Sequence, residues 1–376
     1  MSIRQYNLGS IVKPGFNPLG AQTTTTQATL FSWGRNTAGQ LGQGNTTAYS
    51  SPKQVGSLTN WLNTATGYLY SSAVKTDGTF WAWGNNVNGQ LGLGNLTAYS
   101  SPKQVGALTN WLNVACGSYS SLATKTDGTL WTWGKNNVGQ LGLGNRTEYS
   151  SPKQIGALTT WSKVSGGGSN VASIKTDGTL WTWGKNTQGQ LGLGNITYYS
   201  SPKQVGSLTN WLNVAAGYYH CTATKTDGTL WAWGYNNRGQ LGLGNITNYS
   251  SPKQIGALSN WLNIACGYAF TVASKTDGTL WAWGWNQYGE LGDGTTVNKS
   301  SPIQIGALTS WLKVACGFYF SLATKTDGTL WSWGRNTYGN LGLGNTTNYS
   351  SPKQVGSLAT WGNVTSGNYS YSSLAT

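Results

Sequence analysis

The sequence predicts an all-β chain closed into a seven-bladed β-propeller of four-stranded antiparallel blades. Three observations carry this reading. The core WG-x-N-x-x-G occurs at Trp33, Trp83, Trp133, Trp183, Trp233, Trp283 and Trp333, a constant step of 50 residues, and a fixed period of that length marks a repeat array. Each period holds four short strand-like runs separated by turn residues, which is the content of a propeller blade. The chain ends are complementary: Ser372 to Ala375 lacks the K-T-D-G-T that follows this strand elsewhere, and Thr29 to Trp33 lacks the strand that elsewhere precedes it. One blade is therefore expected to be shared between the termini, with its first strand from the C-terminus and the other three from the N-terminus, so that no sheet edge is left open.

The unit is clearest in its second copy. Ser120 to Lys125 reads as the strand nearest the axis, because its residues are small or β-branched, and Thr126-Asp127-Gly128 as a tight turn. Thr129 to Gly134 is the next strand, with Trp131 and Trp133 on one face by the two-residue strand period. A glycine-rich loop follows, in which Gly139, Gly142 and Gly144 admit positive φ. Lys153 to Ala157, after Pro152, reads as the third strand and Trp161 to Ser165 as the fourth. Residues 28–376 form the array. Residues 1–27 stand outside it as an extended arm whose Ile11, Val12 and Phe16, set among prolines and glycines, suit docking on an assembly partner.

Charged residues are only 9% of the chain, against 54 Gly, 21 Trp and 20 Tyr, the balance of a turn-rich β protein. The net charge of +14 raises nucleic acid as a partner. However, six lysines of the Lys53 class and six of the Lys75 class are spread round rings, and each Lys75-class residue precedes the TDG aspartate by two positions. Nucleic-acid binding is therefore expected to be weak. The four cysteines are not a disulfide framework, since Cys116, Cys266 and Cys316 share one repeat position that accepts any small residue. No signal peptide or membrane span is visible, which leaves the cytoplasm or an assembly such as a virion as the location.

WG-x-N-x-x-G-Q-L-G-x-G, a Pro-bearing strand, then V-A-C-G and S-L-A-T-K-T-D-G-T-L-W-x-W-G together resemble the regulator of chromosome condensation repeat, over residues 28–376. The resemblance implies the propeller fold. For function it implies a range, from nucleotide exchange on a small GTPase to light sensing and β-lactamase inhibition.

Candidates for catalysis are few. The loop G-Q-L-G-L-G-N lacks the Lys-Ser/Thr ending and the helix of a phosphate loop, so it serves backbone turning. His220 and Cys221 are neighbours on one strand and point to opposite faces, which argues against a base and nucleophile pair. Glu290 and Asp293, standing where other copies have Gln and Leu, are expected to be solvated, with a cation site as the alternative. No catalytic residue, metal or cofactor is expected.

Differences between the copies concentrate in two loops, one before the Ser120-class strand and one after WG. In an antiparallel blade both emerge on the same side of the disc. That variable face is aromatic over three consecutive blades: Tyr218, Tyr219 and Tyr235; then Tyr268, Phe270, Trp285 and Tyr288; then Phe318, Tyr319, Phe320 and Tyr338. Arg35, Lys135 and Lys185 form a basic sector elsewhere on it. These residues are the expected contact surface for a protein or glycan partner, since Trp, Tyr and Arg dominate binding hot spots. A structural role in a larger assembly and a chromatin or GTPase-exchange role are the alternatives.

Overall fold

The structure, a computed structural model, describes residues 28–376. Seven four-stranded antiparallel sheets stand round one axis. In the second blade the strands run, from the axis outward, Trp111–Cys116, Ser120–Lys125, Leu130–Gly134 and Tyr149–Gln154. The five neighbours in sequence repeat this order at 50-residue steps.

This phasing corrects the expected one. The innermost strand is the Trp111-class strand, not the Ser120-class strand, and it belongs with the residues that follow it. The reason is local: Gly117 N donates to Ser120 O at 2.7 Å, closing a tight hairpin between these two strands. Ile155 to Thr160, by contrast, carries the chain from the outer edge of one blade to the axis of the next. The closing blade changes accordingly. It takes two strands from each terminus, in the order Tyr49–Gln54, Phe31–Gly34, Ser372–Ala375 and Val364–Thr365. Closure by a shared blade holds, but the split is two and two.

The WG-x-N signature is explained blade by blade. Trp133 is fully buried, and its Nε1 donates to Gln90 O of the preceding blade at 2.9 Å; Trp33 makes the same bond to Asn340 O across the closure. Asn136 fastens the long loop, with Nδ2 donating to Asn145 O and Thr147 O and Oδ1 accepting from Leu141 N. Gly134 has φ +100, and a Cβ there would lie 2.5 Å from Tyr119 O. Gly142, with φ +72, lies so close to the next blade's Trp183 that a Cβ would meet its Nε1 at 2.7 Å.

The Lys75 class is not neutralised by direct pairing with the turn aspartates. Each of the six ammonium groups sits between two indoles, as Lys75 Nζ does 3.7 Å from the centroid of Trp81 and 4.8 Å from that of Trp61. Burial lowers the Lys75 pKa, and the Asp77 charge opposes that shift. Asp77 instead accepts hydrogen bonds from the Thr79 amide and hydroxyl. The TDG turns and the 155–160-class crossings lie on one face of the disc, and the variable loops on the other.

Candidate functional site

The variable face is built from two layers of loop. The hairpin after Gly117 surrounds the axis, and the loop after WG lies outside it, joined by bonds such as Lys135 N to Tyr119 O at 3.0 Å. Six of the axial hairpins have the same length. In the closing blade Ser372 pairs with Gly34 as Ser120 pairs with Gly134, a step of 252, while Val364 and Val114 are separated by 250. That hairpin is therefore two residues longer, and it crosses the axis. Asn368 Nδ2 donates to Ala216 O at 2.6 Å and Gly166 O at 3.2 Å in blades on the far side. Beneath it the axis holds an open cavity of about 250 Å³ lined by residues such as Thr66, Cys116, Ser165 and Cys316.

Tyr369, on this longer hairpin, joins both sides of the mouth. Its ring centroid lies 4.8 Å from Tyr68, 4.8 Å from Tyr218 and 4.5 Å from Phe318. From there the rings continue without a break. Tyr218 meets Tyr219 at 4.4 Å and Tyr268 at 5.3 Å, and Tyr219 meets Tyr235 at 5.8 Å. Tyr268 touches Phe318 at 4.7 Å and Trp285 at 6.3 Å, while Tyr319 touches Trp285 and Tyr288. Tyr371, from the same long hairpin, adds Tyr338 at 5.2 Å. Most pairs are edge-to-face or tilted, the arrangement the ring quadrupoles favour.

Cations lie over these rings. Arg35 stands 5.2 Å from Tyr338, Lys135 5.1 Å from Tyr119, Lys185 5.1 Å from Tyr219 and Arg335 4.8 Å from Tyr288. Arg238 covers Trp285 at 4.4 Å beside an open cleft of about 500 Å³. The expected basic sector is thus continuous with the aromatic one instead of separate from it. Two expected contact residues are corrected: Phe270 and Phe320 have no exposed surface and pack in the core. They begin the second strand of their blades and point inward, as Tyr70 and His220 do at the same repeat position. Tyr68, Tyr119, Tyr369 and Arg335, which lie in the two loops expected to vary, belong to the face with Tyr371 and Arg238, although none of the six was among the expected contact residues. Arg335 occupies the same repeat position as Tyr235 and Trp285, and that alignment was the signal available.

The face's electrostatics suit recognition. Burial, then neighbouring phenols, raises the pKa of Tyr218 and Tyr319; burial pushes Tyr371 up to about 12. These phenols are neutral hydrogen-bonding groups, not phenolates. His220 is buried and held neutral, its pKa lowered to about 3 by desolvation, with Nε2 3.1 Å from Thr271 Oγ1. Burial likewise raises the Cys221 thiol, and all four cysteines are free and buried. Among the described residues no group of three His, Cys, Asp or Glu side chains could hold a metal ion, and no helix is long and apolar enough to cross a membrane.

Glu290 departs from the expected solvated loop, being fully buried. Its Oε2 accepts from Tyr288 N at 2.8 Å and its Oε1 has no partner. Desolvation pushes its pKa up from 4.5 to about 8, opposed by hydrogen bonds from its own and the Tyr288 amide and by the Arg335 charge. Gln140, at the same repeat position, satisfies both ends, accepting from Val138 N and donating to Asn137 Oδ1. A raised carboxyl pKa favours the folded state below the unfolded value, and the advantage is lost as pH rises through about 8. Glu290→Gln should therefore stabilise the disc little at pH 4.5 and by on the order of 3 kcal/mol at pH 8.5. Urea titrations of both proteins across that range are the check. Asp293 lies apart from this carboxyl, bonded to Asn286 Nδ2 and paired with Lys299 at 3.7 Å, the ion pair formed among the described residues.

The comparisons agree with this architecture. The pattern of the RCC1-like domain matches residues 21–258, and that of the regulator of chromosome condensation (RCC1) repeat matches 277–324 and 327–370. No curated protein matches the sequence. Among solved structures, human WBSCR16 is 22% identical with a TM-score of 0.83, over 92% of this chain and 98% of that one. Prp20p of Saccharomyces cerevisiae, described with its binding to Gsp1p and histones, is 20% identical with a TM-score of 0.81, over 94% and 92%. The yeast RCC1 (Prp20) bound to Kap60 is 19% identical with a TM-score of 0.81, over 98% and 96%. At that identity the likeness shows the fold, and with the matched repeats it establishes that this chain belongs to the RCC1-like domain family.

Proposed function

We propose that this propeller is a non-enzymatic recognition module that grips a protein partner with its variable face. The observation that carries the reading is the continuous sheet of Tyr, Trp and Phe rings, overlaid by Arg and Lys, on the one face where the blades differ. Such rings offer large, rigid, amphipathic contact area with few rotatable bonds, and Tyr, Trp and Arg are the residues in which binding energy concentrates. Six of the nine acids sit in TDG turns on the opposite face, so the aromatic face is net basic and fits a partner with exposed carboxylates. Protein is preferred to glycan because the similar Prp20p propeller is described with protein partners.

A basic, aromatic surface also suits single-stranded nucleic acid, where bases stack on open ring faces. Here ring edges abut neighbouring ring faces and cations lie over others, which leaves few faces free. Oligonucleotide binding followed by fluorescence anisotropy is expected to be weak and to disappear as salt approaches about 0.15 M. A sequence-selective complex that survives there would replace protein with nucleic acid as the partner.

A further inference from the structure

One copy of the repeat departs from the rest, and its departures lie beside one cleft. The run G-Q-L-G-L-G-N-x-T-x-Y-S-S-P-K-Q stands unchanged from Gly89, Gly139, Gly189 and Gly239, and with one change each from Gly39 (Gln43) and Gly339 (Asn340). From Gly289 it has six: Glu290, Asp293, Thr295, Val297, Lys299 and Ile303. Four of these are a single structural exchange. Elsewhere a lysine lies over the tyrosine, as Lys153 does 5.4 Å from the Tyr149 ring centroid, and an asparagine donates to its hydroxyl, as Asn145 does at 3.3 Å. Here Lys299 instead pairs with Asp293 at 3.7 Å, the Thr295 amide and hydroxyl donate to Asp293, and Ile303 replaces the lysine. That exchange engages Asp293, and Glu290 is buried. Neither carboxylate serves Arg238, which has no ion pair among the described residues.

The cleft beside Trp285, of about 500 Å³, has Arg238 on one blade and Gln287, Thr296, Val297 and Asn298 on the next. At the preceding junction the equivalent positions are Gln188 and Asn248, and they close it: Asn248 Nδ2 donates to Gln188 Oε1 at 3.1 Å. Arg238 ends in donors alone. Asn298 Oδ1 already accepts from Asn286 N at 2.9 Å, as Asn248 Oδ1 does from Asn236 N, which leaves Nδ2 as its free end. Two donors therefore meet where the neighbouring junction has a donor and an acceptor. We propose that this junction is a subsite for a carboxylate, supplied by an aspartate or glutamate of a protein partner. With the Arg238 guanidinium held over the Trp285 ring at 4.4 Å, its N–H edge is left for a bidentate carboxylate, and the Asn298 and Gln287 amides and the Thr296 hydroxyl supply further donors. The exposed Val297 offers an apolar contact to the neighbouring side chain of such a peptide. A peptide is favoured over an acidic sugar because a sugar stacks on an open indole face, and Trp285 is covered by Arg238 and abutted by Tyr268 and Tyr319 at 6.3 and 5.9 Å. The subsite presupposes the variable face as the partner surface.

Selection of a random dodecapeptide library on the full chain, followed by fluorescence anisotropy with the peptides obtained, tests this. The peptides should carry Asp or Glu at one fixed position. Arg238→Gln, which installs the Gln188 arrangement and so should fold, is expected to weaken them at least about 10-fold; Arg238→Lys keeps the charge without the fork and should fall between. Replacing the peptide's carboxylate by its amide should cost the parent the same factor and the Arg238→Gln protein almost nothing, a coupling that a merely structural role of Arg238 would not produce. Equal losses in the two proteins, or peptides without an acidic position, would overturn the carboxylate subsite. If such peptides are still lost in Trp285→Lys/Tyr319→Ala, the variable face stands as the partner surface without this subsite; if they are retained, both fall. A library that yields no binder, or a hexuronic-acid oligosaccharide that binds the parent and not Arg238→Gln, would overturn the peptide as the ligand.

Discussion

Removing Ser372 to Thr376 should leave no stably folded monomer, a loss of more than about 5 kcal/mol that exceeds the margin of many domains. These residues are not a tail. Ser372–Ala375 is a central strand of the closing blade, paired with Phe31–Gly34 on one side and Val364–Thr365 on the other, and Leu374 and Ala375 are fully buried. Deletion opens two sheet edges and uncouples the termini, so the ring loses its clasp. Circular dichroism melting with size-exclusion chromatography reads the result. A truncated chain that stays monomeric and melts like the full one would mean that the shared blade does not hold the ring.

Trp133→Ala should cost about 3–5 kcal/mol, as large-to-small changes at fully buried aromatic positions do. Trp133 packs against Phe80 and Trp111 at 5.2 and 6.1 Å, and its Nε1 ties the blade to Gln90 O of the one before. Trp133→Phe separates the two contributions. It keeps most of the packing but removes the interblade bond, while Gln90 O still accepts from the Ser121 hydroxyl at 2.7 Å, for a loss of about 0.5–1.5 kcal/mol. Urea unfolding measures both; an Ala variant within about 1 kcal/mol of the parent would show that the frame tryptophans do not carry the interblade packing.

The frame was legible because it repeats: a tryptophan, an asparagine and several glycines per 50 residues each answer to one bond or one close approach. Blade phasing was not. Small residues occupy both the Trp111-class and Ser120-class strands, so composition could not say which lies on the axis, and the hairpin at Gly117 is a matter of backbone geometry. The two-residue lengthening before Ser372 was hidden by its own chemistry, since Asn368-Tyr369-Ser370-Tyr371 reads as another copy of Ser118-Tyr119-Ser120. Tyr371, and the position of Tyr369 across the mouth of the axis, were lost with it. Phe270 and Phe320 looked like loop aromatics because they adjoin Tyr268 and Phe318. Their inward direction depends on where the strand begins. Glu290 resembled a loop acid because burial under the neighbouring blade is a long-range property.

The central claim is that partners are read by the aromatic face. It is tested most directly by quantitative capture of partners from the cells that make this protein, comparing variants of the two faces. Trp285→Lys/Tyr319→Ala uses residues the frame already accepts at these positions, as Lys135 and Ala269, and so should fold. Leu108→Ser/Leu158→Ser alters the opposite face. The account predicts that a partner held by the parent is lost at least about 30-fold by the first variant and retained by the second, as for a hot spot worth about 2 kcal/mol. Equal retention by the first variant with an unchanged melting temperature, or loss by the second alone, would contradict it.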